Sequence, residues 1–223
     1  MSNAILLDLA VLVREQKEIG QFWTENIRNV YGIYLDDIKA ADMDGTVQDI
    51  LYKVLGEHGM SRMDIDSKME LFINEMAYAY YNVAGRDNMS LADGAKEALN
   101  LCKSSDFVVG IATPITEKIA QNMMERTKID PEMFKFTEFG GLNKEANSML
   151  MAAVSTAKSL GAEPDSDGVF VSSSPSMLSS ARAVRIKTIA VTNGQDQRFE
   201  GLDIDVKIKS LKDVKKAIQK VTG

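Results

Sequence analysis

The sequence predicts an α/β fold: a mostly parallel sheet covered by helices, interrupted just after its first strand by an all-helical insertion. Three observations predict it. Short apolar runs alternate with amphipathic stretches along most of the chain. Residues 15–85 replace that alternation with helical patterns and no convincing strand. Several apolar runs end in polar turns that open helices.

Residues 4–9 read as the first buried strand. Residues 107–112 (Phe-Val-Val-Gly-Ile-Ala), 168–171, 187–192 and 206–208 complete the set. Helical patterns lie between them. Residues 91–103 place Ala95, Ala98, Leu99 and Cys102 on one face, and residues 117–127 place Ile119, Ala120, Met123 and Met124. Residues 144–160, 175–184 and 211–221 follow. The last sets Leu211, Val214, Ile218 and Val221 against a solvated basic face of Lys209, Lys212, Lys215, Lys216 and Lys220.

The insertion carries three helical faces: Ile19, Phe22, Trp23, Ile27 and Val30; Val47, Ile50, Leu51, Val54 and Leu55; and Ile65, Met69, Phe72, Ile73, Met76 and Tyr80. Their spacings of three and four are those of a helix. The expected division is a core of residues 1–14 and 86–223, with a helical unit at 15–85.

A chain of 223 residues can hold one large domain, or a core with a smaller insert. Its net charge of -6 argues against nucleic acid or anionic lipid as a main partner. No segment reaches the ~20 apolar residues of a membrane span. The run at 4–13 is broken by Asp8 and lacks a basic flank, so it does not read as a signal peptide, and a cytoplasmic location is expected. The single cysteine, Cys102, excludes an intramolecular disulfide and a cysteine-based zinc site. The single histidine, His58, stands beside Gly59 at an expected helix end and reads as structural. Met89, Met123, Met124, Met133, Met149 and Met151 lie in patterned segments and read as core filling.

Ligands of an open parallel sheet bind beyond the carboxyl ends of its strands. Three such ends carry candidate site residues: Asp8; Thr113-Pro114; and Ser172-Ser173-Ser174-Pro175. A carboxylate inside a run as apolar as Ile-Leu-Leu-Asp-Leu-Ala is costly unless paired or functional. Thr113 and Ser174 each precede a proline and a helix pattern, so each also reads as an N-cap. The two helix N-termini could still aim N–H groups at one pocket, favouring a carboxylate or phosphate.

With these residues in place, the chain resembles the haloacid dehalogenase superfamily, of the phosphoglycolate-phosphatase-like type with a helical cap after the first strand. The resemblance covers nearly the whole chain and implies a Rossmann-like core. Tyr31-Gly32-Ile33 and Ala181-Arg182-Ala183 also fit it. The family's first motif, Asp-x-Asp-Gly-Thr, falls on Asp8, Leu9, Ala10, Val11 and Leu12: the nucleophile position is kept, and the second acid, glycine and threonine are not. Thr113 matches the second motif. Lys144 is near the basic third motif, whose own position aligns with Ala146 or Asn147. The fourth motif, Gly-Asp followed by a second Asp, falls on Ser172 to Met177, where both acids are missing.

The resemblance implies Mg²⁺-dependent phosphoryl transfer by an Asp nucleophile, with metal ligands from the first and fourth motifs. Magnesium wants oxygen ligands, usually carboxylates, and this chain offers Asp8 with Ala10, Ser173 and Met177. Ala10 cannot serve as the general acid/base either. The expectation is therefore a protein without metal-dependent phosphatase activity and without a cofactor or metal site. It would bind a small anionic ligand or a protein partner between core and cap through Thr113, Ser172, Ser173 and Ser174. A monomer or homodimer fits equally.

The alternative is a hydrolase of the superfamily, with Asp8, Thr113 and Lys144 in catalytic positions. It would be either a phosphatase of a small metabolite that uses Mg²⁺, or an enzyme of metal-free, dehalogenase-type chemistry through Asp8. For the metal-free route Arg14, Arg28 and Lys144 are the nominated basic partners. A third reading is a structural oligomer using exposed cap aromatics such as Trp23, Tyr78 and Tyr81. Residues 42–46, Asp-Met-Asp-Gly-Thr, spell the intact first motif, but follow a charged, broken segment and precede a helix. They read as a loop and N-cap, with Thr46 or Asp44 satisfying the first helical N–H groups.

Overall fold

The computed structural model describes residues 3–15, 19–36, 38, 43–82, 89–104, 106–141, 145–162 and 168–222. Lys144 and Asp42 lie outside the described residues.

The main sheet has six parallel strands: β1 (Asn3–Leu7), β4 (Phe107–Thr116), β5 (Thr137–Gly140), β6 (Val169–Ser172), β7 (Lys187–Val191) and β8 (Val206–Ile208). Their order is β5-β4-β1-β6-β7-β8, so β1 lies between β4 and β6. The chain leaves β1 in both directions across the sheet, which opens a crevice at its carboxyl end. Ala4 to Leu7 are completely buried because both faces of the sheet are covered. Ile5 and Leu7 pack into one hydrophobic layer and Leu6 into the other, as the strand's period of two requires.

The expected first strand ends early. Asp8 is the N-cap of a short turn, α1 (Leu9–Leu12), so Leu9 is helical. Then β2 (Val13–Glu15) pairs antiparallel with β3 (Met89–Leu91) in a ribbon of three-residue strands. Between them lie α2 (Ile19–Tyr31), α3 (Val47–Glu57) and α4 (Arg62–Asn82), the helical cap. Trp23, Ile27, Leu51, Leu55, Ile65 and Phe72 fill its interior. The Phe72 ring lies 5.3 Å from Trp23 and 5.9 Å from Tyr31, and Tyr31 donates its hydroxyl to the Ile65 carbonyl at 3.1 Å. The cap shares one hydrophobic cluster with the β1 face that carries Ile5 and Leu7.

The remaining helices are α5 (Ala95–Leu99), α6 (Glu117–Thr127), α7 (Ala146–Ser159), α8 (Pro175–Ala183) and α9 (Val214–Thr222). Residue 91 belongs to β3, and the predicted helix over 91–103 is only α5 followed by a 3₁₀ turn at Asn100–Lys103. In α9, Val214, Ile218 and Val221 are buried against the core as their spacing predicts. Gly110 in β4 admits the Phe136 ring, which reaches to 2.4 Å from where a Cβ would stand. Met123, Met124 and Met149 are core residues, whereas Met151 is 61% exposed.

Candidate functional site

The carboxyl ends of β1, β4 and β6 meet at Asp8, which is completely buried. Thr113 donates its hydroxyl to Asp8 Oδ1 at 2.8 Å, and Ser172 donates to Oδ2 at 2.7 Å. The backbone N–H of Ala10 also donates to Oδ1, at 3.1 Å. Burial raises the Asp8 pKa from its ordinary 3.8; the hydroxyls of Ser172 and Thr113 and the Ala10 N–H oppose the shift, and the nearby Asp44 charge adds to it.

Thr113 is therefore not a helix cap. The strand runs on through Pro114 and Ile115 to Thr116, with its register against β5 shifting between Thr113 and Thr116. That irregularity accommodates a proline, which lacks an N–H for the ladder. Thr116 takes the N-cap position of α6, yet its side chain caps nothing. Ser174 does cap α8: its Oγ accepts from the Met177 N–H at 3.1 Å, with Pro175 in the first turn.

The cap loop supplies the second carboxylate. Asp44 accepts from the Ser174 hydroxyl through Oδ1 and from the Ser176 N–H through Oδ2, at 2.9 Å. It thus sits on the N-terminus of α8, where a negative charge is favoured. The loop-and-cap reading of this segment holds for Thr46, whose Oγ1 accepts from the Asp49 N–H at 3.2 Å while Asp49 Oδ2 accepts from the Thr46 N–H at 3.0 Å. It does not hold for Asp44, which serves a core helix instead of its own. Gly45 between them has φ +118°.

Above Asp8 a cavity of about 290 Å³ opens between core and cap. Its polar and charged lining residues are Asp8, Asp44, Thr116, Ser173, Ser174 and Arg198. Trp23, Val47, Ile50, Ile73, Met76, Tyr80, Ile119 and Met123 give it apolar walls. Of the expected ligand-binding residues, Ser173 and Ser174 face this cavity, whereas Thr113 and Ser172 lie beneath it, bonded to Asp8.

Trp23 is not an exposed cap aromatic; it is 6% exposed and lines the cavity, while Tyr78 and Tyr81 are exposed. Arg14 and Arg28 are exposed and do not line it, and Arg28 lies over the Tyr34 ring. Arg198, from the 3₁₀ turn after β7, lines the cavity instead. No spacing marks Arg198 in the sequence, because its position depends on how the loop after β7 folds over the strand ends. His58 ends α3, its Nδ1 2.9 Å from the Val54 carbonyl.

The Mg²⁺ that the sequence resemblance implies would meet few ligands here among the described residues. Both Asp8 oxygens accept hydrogen bonds from protein donors, and both Asp44 oxygens are engaged on α8. Ser173 and Ser174 offer neutral hydroxyls. Among the described residues no group of three His, Cys, Asp or Glu side chains is placed to hold a metal ion. This donor set does not fit Mg²⁺, which favours carboxylates in near-octahedral geometry.

No protein-family profile and no curated protein matches the sequence. Solved structures do match along nearly the whole chain. CbbY from Rhodobacter sphaeroides, in complex with phosphate, is 14% identical, with 96% of each chain covered and a TM-score of 0.72. A haloacid dehalogenase-like family hydrolase from Streptococcus pneumoniae is 17% identical, covering 98% of this chain and 99% of its own, with a TM-score of 0.69. A predicted phosphoglycolate phosphatase from Haemophilus somnus is 14% identical, with 97% of each chain covered and a TM-score of 0.68. At these identities the likeness is one of architecture, and the chain has the haloacid dehalogenase-like fold with a helical cap.

Proposed function

We propose that this protein binds a small molecule in the cleft between core and cap and lacks metal-dependent phosphatase activity. The observation that carries this reading is the use made of the two carboxylates. Asp8 is buried beneath hydroxyl donors, and Asp44 is spent on the N-terminus of α8. Neither is left to assemble a magnesium site, and Ala10 supplies no proton to a leaving group. The small anion or protein partner expected from the sequence would compete with Asp44 for the α8 N–H groups. A cytoplasmic location goes with this reading, and among the described residues no helix is long and apolar enough to cross a membrane.

A second reading, a hydrolase acting through Asp8, is favoured by the names of the similar structures, which include phosphatases and hydrolases. The hydrogen bond from Thr113 to Asp8 is compatible with it, since it orients the carboxyl in the nucleophile position. In this reading Asp8 would have to give up one of its hydrogen-bond donors before attacking.

The test is a phosphatase and dehalogenase screen of the purified protein, with and without Mg²⁺, beside Asp8→Asn. No turnover above the Asp8→Asn background is expected. Turnover that requires Asp8 would move the conclusion to the hydrolase reading.

A further inference from the structure

The cap is held to the core along two edges of different kinds. Along the first, α4 lies against α6. The Lys118 ammonium donates to Asn74 Oδ1 at 2.8 Å, and Arg126 donates to the Tyr81 carbonyl at 2.9 Å. Ile73 and Met76 of α4 belong to the same hydrophobic cluster as Ile119 and Met123 of α6. The β2–β3 ribbon, through which the chain enters and leaves the cap, is on this side, with β3 packed against α6.

The second edge is the loop before α3. It meets the start of α8 through Asp44, which accepts from the Ser174 hydroxyl and from the Ser176 N–H. Gly45 brings the loop close, since a Cβ there would stand 3.4 Å from Ser176 Oγ. The cavity lies between the two edges. Met76 and Ile119 line it from the first, and Asp44, Gly45, Ser173 and Ser174 line it from the second.

The two edges differ in what it costs to part them. Separating α4 from α6 would expose packed apolar side chains to water. Releasing Asp44 exchanges two hydrogen bonds for hydration of a carboxylate, a hydroxyl and one N–H, and the net worth of such bonds is a small part of their gross strength. A rigid unit fixed along one edge and held by polar bonds along the other opens by turning about the first.

We infer that the contact of Asp44 with the start of α8 is a latch on the cap, and that its release, with the cap turning about the α4–α6 edge, admits molecules to the cavity. The latch operates in the same way whether the cavity serves binding or hydrolysis.

The test is acrylamide quenching of Trp23, the single tryptophan, in the full chain without denaturant. Trp23 is 6% exposed and lines the cavity, so the quencher reaches it through the open state. Asp44→Ala is expected to raise the quenching constant at least about threefold by raising the open fraction, with Asp44→Asn between it and the wild type. Gly59→Ala controls for general loosening of the cap: it strains the backbone at φ +81°, has nothing within 4 Å of the added carbon and leaves the latch intact. Its quenching should match the wild type. An unchanged constant in Asp44→Ala, or an equal rise in Gly59→Ala, would overturn the latch. Should Asp44→Ala fail to fold, Asp44→Asn decides, because it keeps one acceptor for α8; quenching equal to the wild type would then overturn the proposal.

Discussion

Asp44 and Ser176 are joined across the boundary between cap and core: the Ser176 N–H donates to Asp44 Oδ2 at 2.9 Å, over a separation of 132 positions in the chain. With the Ser174 hydroxyl on Oδ1, this makes the cap loop an internal anion for α8. The same bonds dock the cap and fill the anion seat of the core.

Asp44→Ala should therefore destabilise the protein by about 2 kcal/mol, because it removes a charge-assisted pair and leaves a partly buried N–H open. Asp44→Asn should cost roughly half of that, since its amide oxygen can still accept from one of the two donors. Chemical denaturation of both variants checks this. If Asp44→Ala were neutral, the contact would contribute nothing to docking.

Gly45 gives this loop its shape. Its φ of +118° is unfavourable for any side chain, and an added Cβ would stand 3.1 Å from Asp49 Oδ2 and 3.4 Å from Ser176 Oγ. Gly45→Ala should cost about 1–3 kcal/mol. Gly59→Ala, at φ +81° with nothing within 4 Å of the added carbon, measures the backbone part alone. The Gly45 variant should be the worse of the two in thermal unfolding.

The cap depends on Phe72, which is completely buried and tilted against Trp23 and Tyr31. Phe72→Ala should cost about 3–5 kcal/mol by removing contacts and opening a cavity. Trp23 emission should move to the red in the folded variant, reporting water entry beside it. Unchanged emission with unchanged stability would mean that the cap interior repacks without loss.

The central strands were legible because a parallel strand buried on both faces is a continuous apolar run, and β1, β4, β6 and β7 each read that way. The edge strand β5, Thr-Glu-Phe-Gly, has no such run and is only half-buried. The β2–β3 ribbon is too short to show a period. Thr113 misled because Thr-Pro is a helix-start signature, whereas a register shift lets β4 continue past the proline. Asp8 and the serines at and just after the end of β6 could be placed at strand ends from sequence alone. That Asp44 reaches α8, and that Trp23 faces a cavity and not solvent, depends on how distant elements pack, which no local spacing encodes.

Asp8 ties stability to pH. Its pKa is raised above 3.8 in the folded state, chiefly by burial, so the folded chain holds a proton that the unfolded chain releases. Below the unfolded pKa both states are protonated and the contribution is complete. As pH rises from there toward the raised folded pKa, stability falls, by at most about 1.4 kcal/mol per pH unit from this group. Above the folded pKa the loss is complete. Asp8→Asn removes the titration, so its stability minus that of the wild type should rise with pH from about pH 4 until the raised folded pKa is passed. Part of this offset is constant, because an amide nitrogen cannot accept the hydroxyls of Thr113 or Ser172 as a carboxyl oxygen does. Parallel melting curves of the two proteins across that range separate the slope from the offset. A difference that falls with pH would show Asp8 ionised and stabilised in the fold, and would restore it as a nucleophile ready to act.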